Sequence, residues 1–126
     1  MHISHIALWT LDLDRMILFY QAHFGASIGP RYHNPAKGFS SCFISLGQGP
    51  RLELMSRTEL SPLSPAPAIG YAHFALSVGS EAEVDRYTKQ LAAAAVPVLD
   101  GPRHTGDGYY ESVVMDPDGN RIEITV

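Results

Sequence analysis

Several short stretches alternate apolar and polar residues, the spacing of a β-strand whose successive side chains face opposite ways. In Ile3 to Trp9, Ile6 and Leu8 oppose His5, Ala7 and Trp9. In Arg51 to Ser56, Leu52 and Leu54 oppose Arg51, Glu53 and Met55. Tyr71 to Val78 sets Phe74, Leu76 and Val78 against His73, Ala75 and Ser77, and Arg121 to Val126 sets Ile122, Ile124 and Val126 against Arg121, Glu123 and Thr125. Further strands are predicted over Ser27 to His33, Phe39 to Leu46, Val96 to Leu99 and Tyr109 to Met115. Two helical periods separate them. Asp12 or Asp14 caps the first, which carries Met16, Phe19, Tyr20 and His23 on one face and stops at Gly25. Ser80 and Glu83 form a capping box for the second, which carries Val84, Tyr87 and Leu91. Gly47 to Pro50 and Asp116 to Asn120 read as turns. Gly101 to Gly108 reads as a loop, either a connection or a lid.

The order of elements repeats. Sliding the chain along itself brings His5-Ile6-Ala7-Leu8 onto His73-Phe74-Ala75-Leu76. Nearly the same shift brings Arg51-Leu52-Glu53-Leu54 onto Arg121-Ile122-Glu123-Ile124. A long period seen twice indicates a duplicated module and not a solenoid. The expectation is an α+β fold: two tandem βαβββ modules, residues 1–58 and 70–126, forming curved mixed sheets with helices outside, within a single domain. Residues 59–69 contain Pro62, Pro65 and Pro67 and are expected to form an extended linker.

Composition narrows the partners. At 45% hydrophobic and 17% charged, the 126 residues can bury a core. A net charge of −4 with no basic stripe excludes nucleic acid as a partner. No apolar run approaches the ~20 residues that span a bilayer, and Met1 to His5 lacks the charged and apolar regions of a leader. Cys42, the single cysteine, reads as a small buried hydrophobe. A cytoplasmic protein acting on small molecules is expected.

The candidate chemistry lies opposite the apolar face of the four outer strands. Each half opens on a histidine strand and closes on a glutamate strand. A sheet curved toward that side would gather His5, Glu53, His73 and Glu123, a donor set suited to a divalent transition metal. The recurrence in both halves sets these residues apart from the isolated His23, His33 and His104.

Four segments together resemble the vicinal oxygen chelate superfamily: His5-Ile6-Ala7-Leu8, Phe19 to Gly25, Ala72 to Leu76, and Asp116-Pro117-Asp118-Gly119-Asn120-Arg121-Ile122-Glu123. That superfamily includes glyoxalase I, fosfomycin-resistance transferases, bleomycin-binding proteins and extradiol dioxygenases. The likeness covers nearly the whole chain and is nearest to short bacterial glyoxalase I. It implies metal ligation by His5, Glu53, His73 and Glu123, with Ni or Zn foremost and Co, Fe or Mn as alternatives. It implies a lyase or isomerase acting on vicinal oxygens, with Glu123 as base and Glu53 as second candidate. It also implies a homodimer whose modules exchange between subunits. The alternatives are a non-catalytic binding protein of the bleomycin-resistance type and an extradiol-type dioxygenase. Two positions depart from the glyoxalase pattern. Trp9 stands where an arginine grips the glutathione carboxylate, and Arg57 stands where an asparagine is usual. Trp9 and Arg57 are thus candidate substrate contacts, with Arg57 suited to a carboxylate or phosphate.

Overall fold

The first helix, α1 (Leu13–Phe24), begins where Asp12 turns its side chain back to accept the Arg15 amide at 2.9 Å. It ends at Gly25, whose N–H reaches the Gln21 carbonyl at 3.2 Å. In this computed structural model, residues 3–62, 70–106 and 108–126 are described. The linker prolines Pro65 and Pro67 lie outside them. The chain divides into two compact units, Met1–Leu63 and Ser64–Val126.

In the first unit, β1 (His5–Trp9), β2 (Ser27–Asn34), β3 (Phe39–Ser45) and β4 (Arg51–Arg57) form one sheet in the order β1-β4-β3-β2. β1 runs parallel to β4 and the other pairs are antiparallel. The helix covers one face. Met16, Ile17, Phe19 and Tyr20 are buried there with Cys42, Ile44, Leu52 and Leu54, the apolar side of the alternation. Fully burying each such side chain is worth roughly 1.5–3 kcal/mol, which holds the helix to the sheet.

The second unit repeats this order with β5 (Phe74–Ser77), α2 (Glu81–Ala93), β6 (Val98–His104), β7 (Tyr110–Met115) and β8 (Arg121–Thr125), arranged β5-β8-β7-β6. The expected α+β fold of two tandem βαβββ modules is the one observed. Ser80 caps α2 by accepting the Glu83 amide at 3.3 Å.

Three details differ from the sequence reading. The buried face of α2 is Val84, Thr88 and Leu91, with Tyr87 at its margin under the Arg86 guanidinium. Thr88 is tolerated inside because its hydroxyl donates to the Val84 carbonyl at 2.7 Å and accepts from Ser112 at 2.6 Å. β5 starts at Phe74, so His73 sits immediately before the strand. And β6 runs on to His104, so half of the segment 101–108 expected as a loop or lid is strand. As an edge strand, β6 tolerates Gly101 and Pro102 at bulges, and its register shifts on both sides of Asp100. Gly101 lies so close to β7 that a Cβ there would stand 2.9 Å from Ser112 Cα. Beyond it, Thr105 and Tyr109 close a turn through Thr105 N–H to the Tyr109 carbonyl at 2.8 Å.

Candidate functional site

The face of each sheet opposite its helix carries a histidine–glutamate pair in the same register. In the first unit Ala7 lies opposite Glu53 across the β1–β4 ladder, and His5 precedes that alanine by two positions. In the second, Ala75 lies opposite Glu123 and His73 precedes it by two. Alternation sends these side chains to one face, and the small alanine between them leaves room for the pair to meet. His5 Nε2 stands 3.8 Å from Glu53 Oε2, and His73 Nε2 stands 3.1 Å from Glu123 Oε2. In both pairs the imidazole is open to solvent and the carboxylate more enclosed, with side-chain exposures of 40% and 19% in the first and 42% and 18% in the second.

Different neighbours fix the two pairs. His5 meets the Phe43 ring edge-on at 5.3 Å, and its Nδ1 lies 3.3 Å from the Ser4 hydroxyl. Such a contact at Nδ1 leaves Nε2 as the ring atom turned toward the carboxylate. In the second unit the hairpin that delivers Glu123 is tied by Asp116. Its Oδ1 accepts the amides of Asp118 at 3.0 Å and Asn120 at 2.9 Å, while Oδ2 accepts the Asn120 side-chain amide at 2.8 Å. The Asp-Pro-Asp-Gly-Asn motif is thus a structural clasp that sets the register of the glutamate strand. The Arg103 guanidinium pairs with Asp100 at 2.6 Å and lies 3.9 Å from Glu111. Asp100 is the main cause of its raised pKa, and Glu123 contributes to the same field.

Among the described residues, no group of three or more His, Cys, Asp or Glu side chains is arranged to hold a metal ion. Each unit supplies two of the four expected donors. The chemistry of each pair, an imidazole nitrogen and a carboxylate oxygen facing each other, fits a borderline divalent ion better than the all-oxygen shell of calcium or magnesium.

The other histidines among the described residues engage other neighbours. His23 packs edge-on against Phe19 at 5.0 Å, His33 Nδ1 lies 2.8 Å from the Ser40 hydroxyl, and His104 lies tilted beside Tyr110 at 4.8 Å. Tyr110 turns toward α2, donating to Asp85 at 2.7 Å.

Trp9 and Arg57 come together at the far end of the first sheet. They line a shallow pocket of about 330 Å³ with Lys37 and Phe39. The sequence reading missed Lys37 and Phe39, which lie either side of Gly38. The visible signal was the turn Asn34-Pro35-Ala36-Lys37-Gly38, which forms a single 3-10 turn capped by Asn34. It missed Arg103 too, because that residue fell in the expected loop.

Comparison with known proteins identifies the family and the fold. A profile of the Glyoxalase/Bleomycin resistance protein/Dioxygenase superfamily matches residues 2–124. An uncharacterized protein of Pseudomonas aeruginosa is 30% identical over 98% of this chain and 86% of its own length. Among solved structures, the glyoxylase/bleomycin resistance protein/dioxygenase domain from Frankia sp. EAN1pec superposes with a TM-score of 0.86 at 20% identity, covering 100% of this chain and 97% of that one. A lactoylglutathione lyase from Agrobacterium tumefaciens gives a TM-score of 0.71 at 27% identity, over 98% and 91%. The trypanothione-dependent glyoxalase I of Leishmania major gives 0.80 at 23% identity, over 99% and 86%. The chain belongs to the Glyoxalase/Bleomycin resistance protein/Dioxygenase superfamily.

Proposed function

We propose that the protein is a metal-dependent lyase or isomerase of glyoxalase I type, acting on a small substrate with vicinal oxygens. The observation that carries this reading is the twofold recurrence of one His–Glu pair, in one register, on the face of each sheet opposite its helix. His5, Glu53, His73 and Glu123 would hold one divalent ion, Ni or Zn foremost. When bound, the ion supplies Lewis-acid polarisation of the two substrate oxygens.

Glu123 takes the proton from the hydroxyl-bearing carbon next to the carbonyl and returns it to the former carbonyl carbon, while the hydroxyl proton passes to the other oxygen, so the isomerisation ends with no net change in protons. Its enclosure strengthens local electrostatics, and Glu53 is the second candidate for the same role. His73 beside Glu123 holds the carboxylate in place, and Asp116 holds the strand that presents it. Trp9 and Arg57 receive the rest of the substrate. The working form is a homodimer.

The test loads the protein with Ni, Zn or Fe and offers the hemithioacetal of methylglyoxal and glutathione, then catechols with oxygen. Hemithioacetal turnover that disappears in Glu123→Gln supports the lyase. Catechol cleavage by the iron form alone would replace it with a dioxygenase. A second reading, non-catalytic capture of an aromatic molecule, draws on the Trp9–Phe39 pocket. Tight aromatic binding by metal-free protein, with no turnover under any metal, would establish it.

A further inference from the structure

We propose that the pocket bounded by Trp9, Lys37, Phe39 and Arg57 selects a substrate whose reacting end is joined to an aromatic ring bearing a carboxylate. This deepens the lyase reading and rests on it only for the chemistry at the reacting end.

The pocket has two parts. Trp9 and Phe39 have ring centroids 6.2 Å apart and planes at 86°, so they form a corner and not a closed stack. A flat ligand group can lie against one wall and be bounded by the other, the offset or edge-on geometry that aromatic pairs prefer. Tyr32 extends the apolar surface, its ring centroid 6.1 Å from that of Phe39. Trp9 is 45% exposed, a large apolar ring left partly open to water. The second part is cationic. The Arg57 guanidinium carbon lies 5.9 Å from the Trp9 ring centroid, and Lys37 joins it at the rim. Arg57 is held by Glu59 at 3.0 Å, with both side chains well exposed. Such a pair is weak, and a ligand carboxylate can share or displace it. Two cations against one carboxylate give a locally positive pocket on a chain of net charge −4.

Size and span restrict the ligand further. A volume of about 330 Å³ sits at the small end of ligand pockets, enough for one ring and its substituent but tight for an extended tripeptide. Glu53 and Arg57 share one face of β4. Their separation along the strand is about 13 Å, at a rise of about 3.3 Å per residue. Less the reach of the arginine, that leaves a ring and a short chain between the reacting oxygens and the anion. The second unit carries no ring at the position that matches Trp9: Trp9 pairs with Met55, whereas Ser77 pairs with Thr125. Aromatic recognition at this corner therefore belongs to the first unit.

The test uses the whole ¹⁵N-labelled chain with chelator present. Trp9 is the single tryptophan, so one indole N–H signal reports the pocket. The probes are phenylacetate, its neutral amide, and acetate. Phenylacetate should shift the signal saturably, the amide should bind at least about ten-fold more weakly, and acetate should leave it unmoved. Arg57→Gln and Lys37→Gln should each weaken phenylacetate about five-fold or more while sparing the amide. The remaining amide signals show that both variants fold. Equal binding of acid and amide, indifference to both substitutions, or no shift with any probe would each overturn the proposal. Metal is absent throughout, so the result stands apart from the ligand set. If phenylacetate binds but no metal does, the pocket holds and the lyase reading falls. If metal binds and phenylacetate does not, the reverse is true.

Discussion

Removing one imidazole tests the donor set most directly. His5 contributes an Nε2 held at 3.8 Å from Glu53, whereas His33 is engaged with the Ser40 hydroxyl. His5→Ala should lower bound metal from about one ion per chain to a small fraction, as losing a ligand costs at least ~10-fold in affinity. His33→Ala should leave it unchanged. Elemental analysis after gel filtration decides, and equal metal in His5→Ala and the parent removes His5 from the set. Two ions per chain, one for each pair, would remove the four-ligand set. Gly38 is the residue on which the pocket rim turns. It sits at φ +55, and a Cβ would stand 2.9 Å from Thr58 Cγ2. Gly38→Ala should cost about 1 kcal/mol or more in urea unfolding and weaken any ligand held by Lys37 and Phe39. The two His–Glu pairs were legible in the chain because duplication wrote them twice. Lys37 and Phe39 were not, because strand pairing alone puts the residues around Gly38 beside the end of β4.

At the scale of elements, the β7–β8 hairpin shows how a motif can signal family and yet act mechanically. The Asp116 carboxylate accepts three hydrogen bonds, and the residue is 3% exposed. Asp116→Ala leaves part-buried amides without acceptors, an expected loss of about 2–4 kcal/mol. Thermal melts should show a lower Tm. The parent Tm would mean that Asp116 is no clasp. Strong alternation and good caps made β4, β8 and both helix starts readable. β6 was not, since the pairing of β7 overrides the local preference of Gly101 and Pro102. Thr88 likewise reads as polar until Ser112 is seen opposite it.

The whole molecule leaves one face of each sheet without a helix of its own unit, and those faces carry the His–Glu pairs together with half-buried residues such as Phe43, Met55 and Val113. Faces of this mixed character favour a second layer of protein. Light scattering should give twice the 13.8 kDa chain mass at micromolar concentration. A monomer there would remove the dimer. The tandem modules were legible from the repeat, whereas oligomeric state has no periodic signature in a sequence.

The single cysteine makes the first unit its own reporter. Cys42 is 1% exposed, its thiol donates to the Gly29 carbonyl at 3.4 Å, and burial pushes its pKa up. A raised native pKa means that the unfolded thiol ionises first, so this group's contribution to stability is whole below about pH 8.5 and declines above it. The native thiol is also shielded from alkylating reagents until β3 separates from its neighbours. Labelling followed by mass spectrometry therefore times the opening of the first unit without registering the second. Compared with loss of global signal, that clock measures whether two copies of one ancestral module have kept the same lifetime.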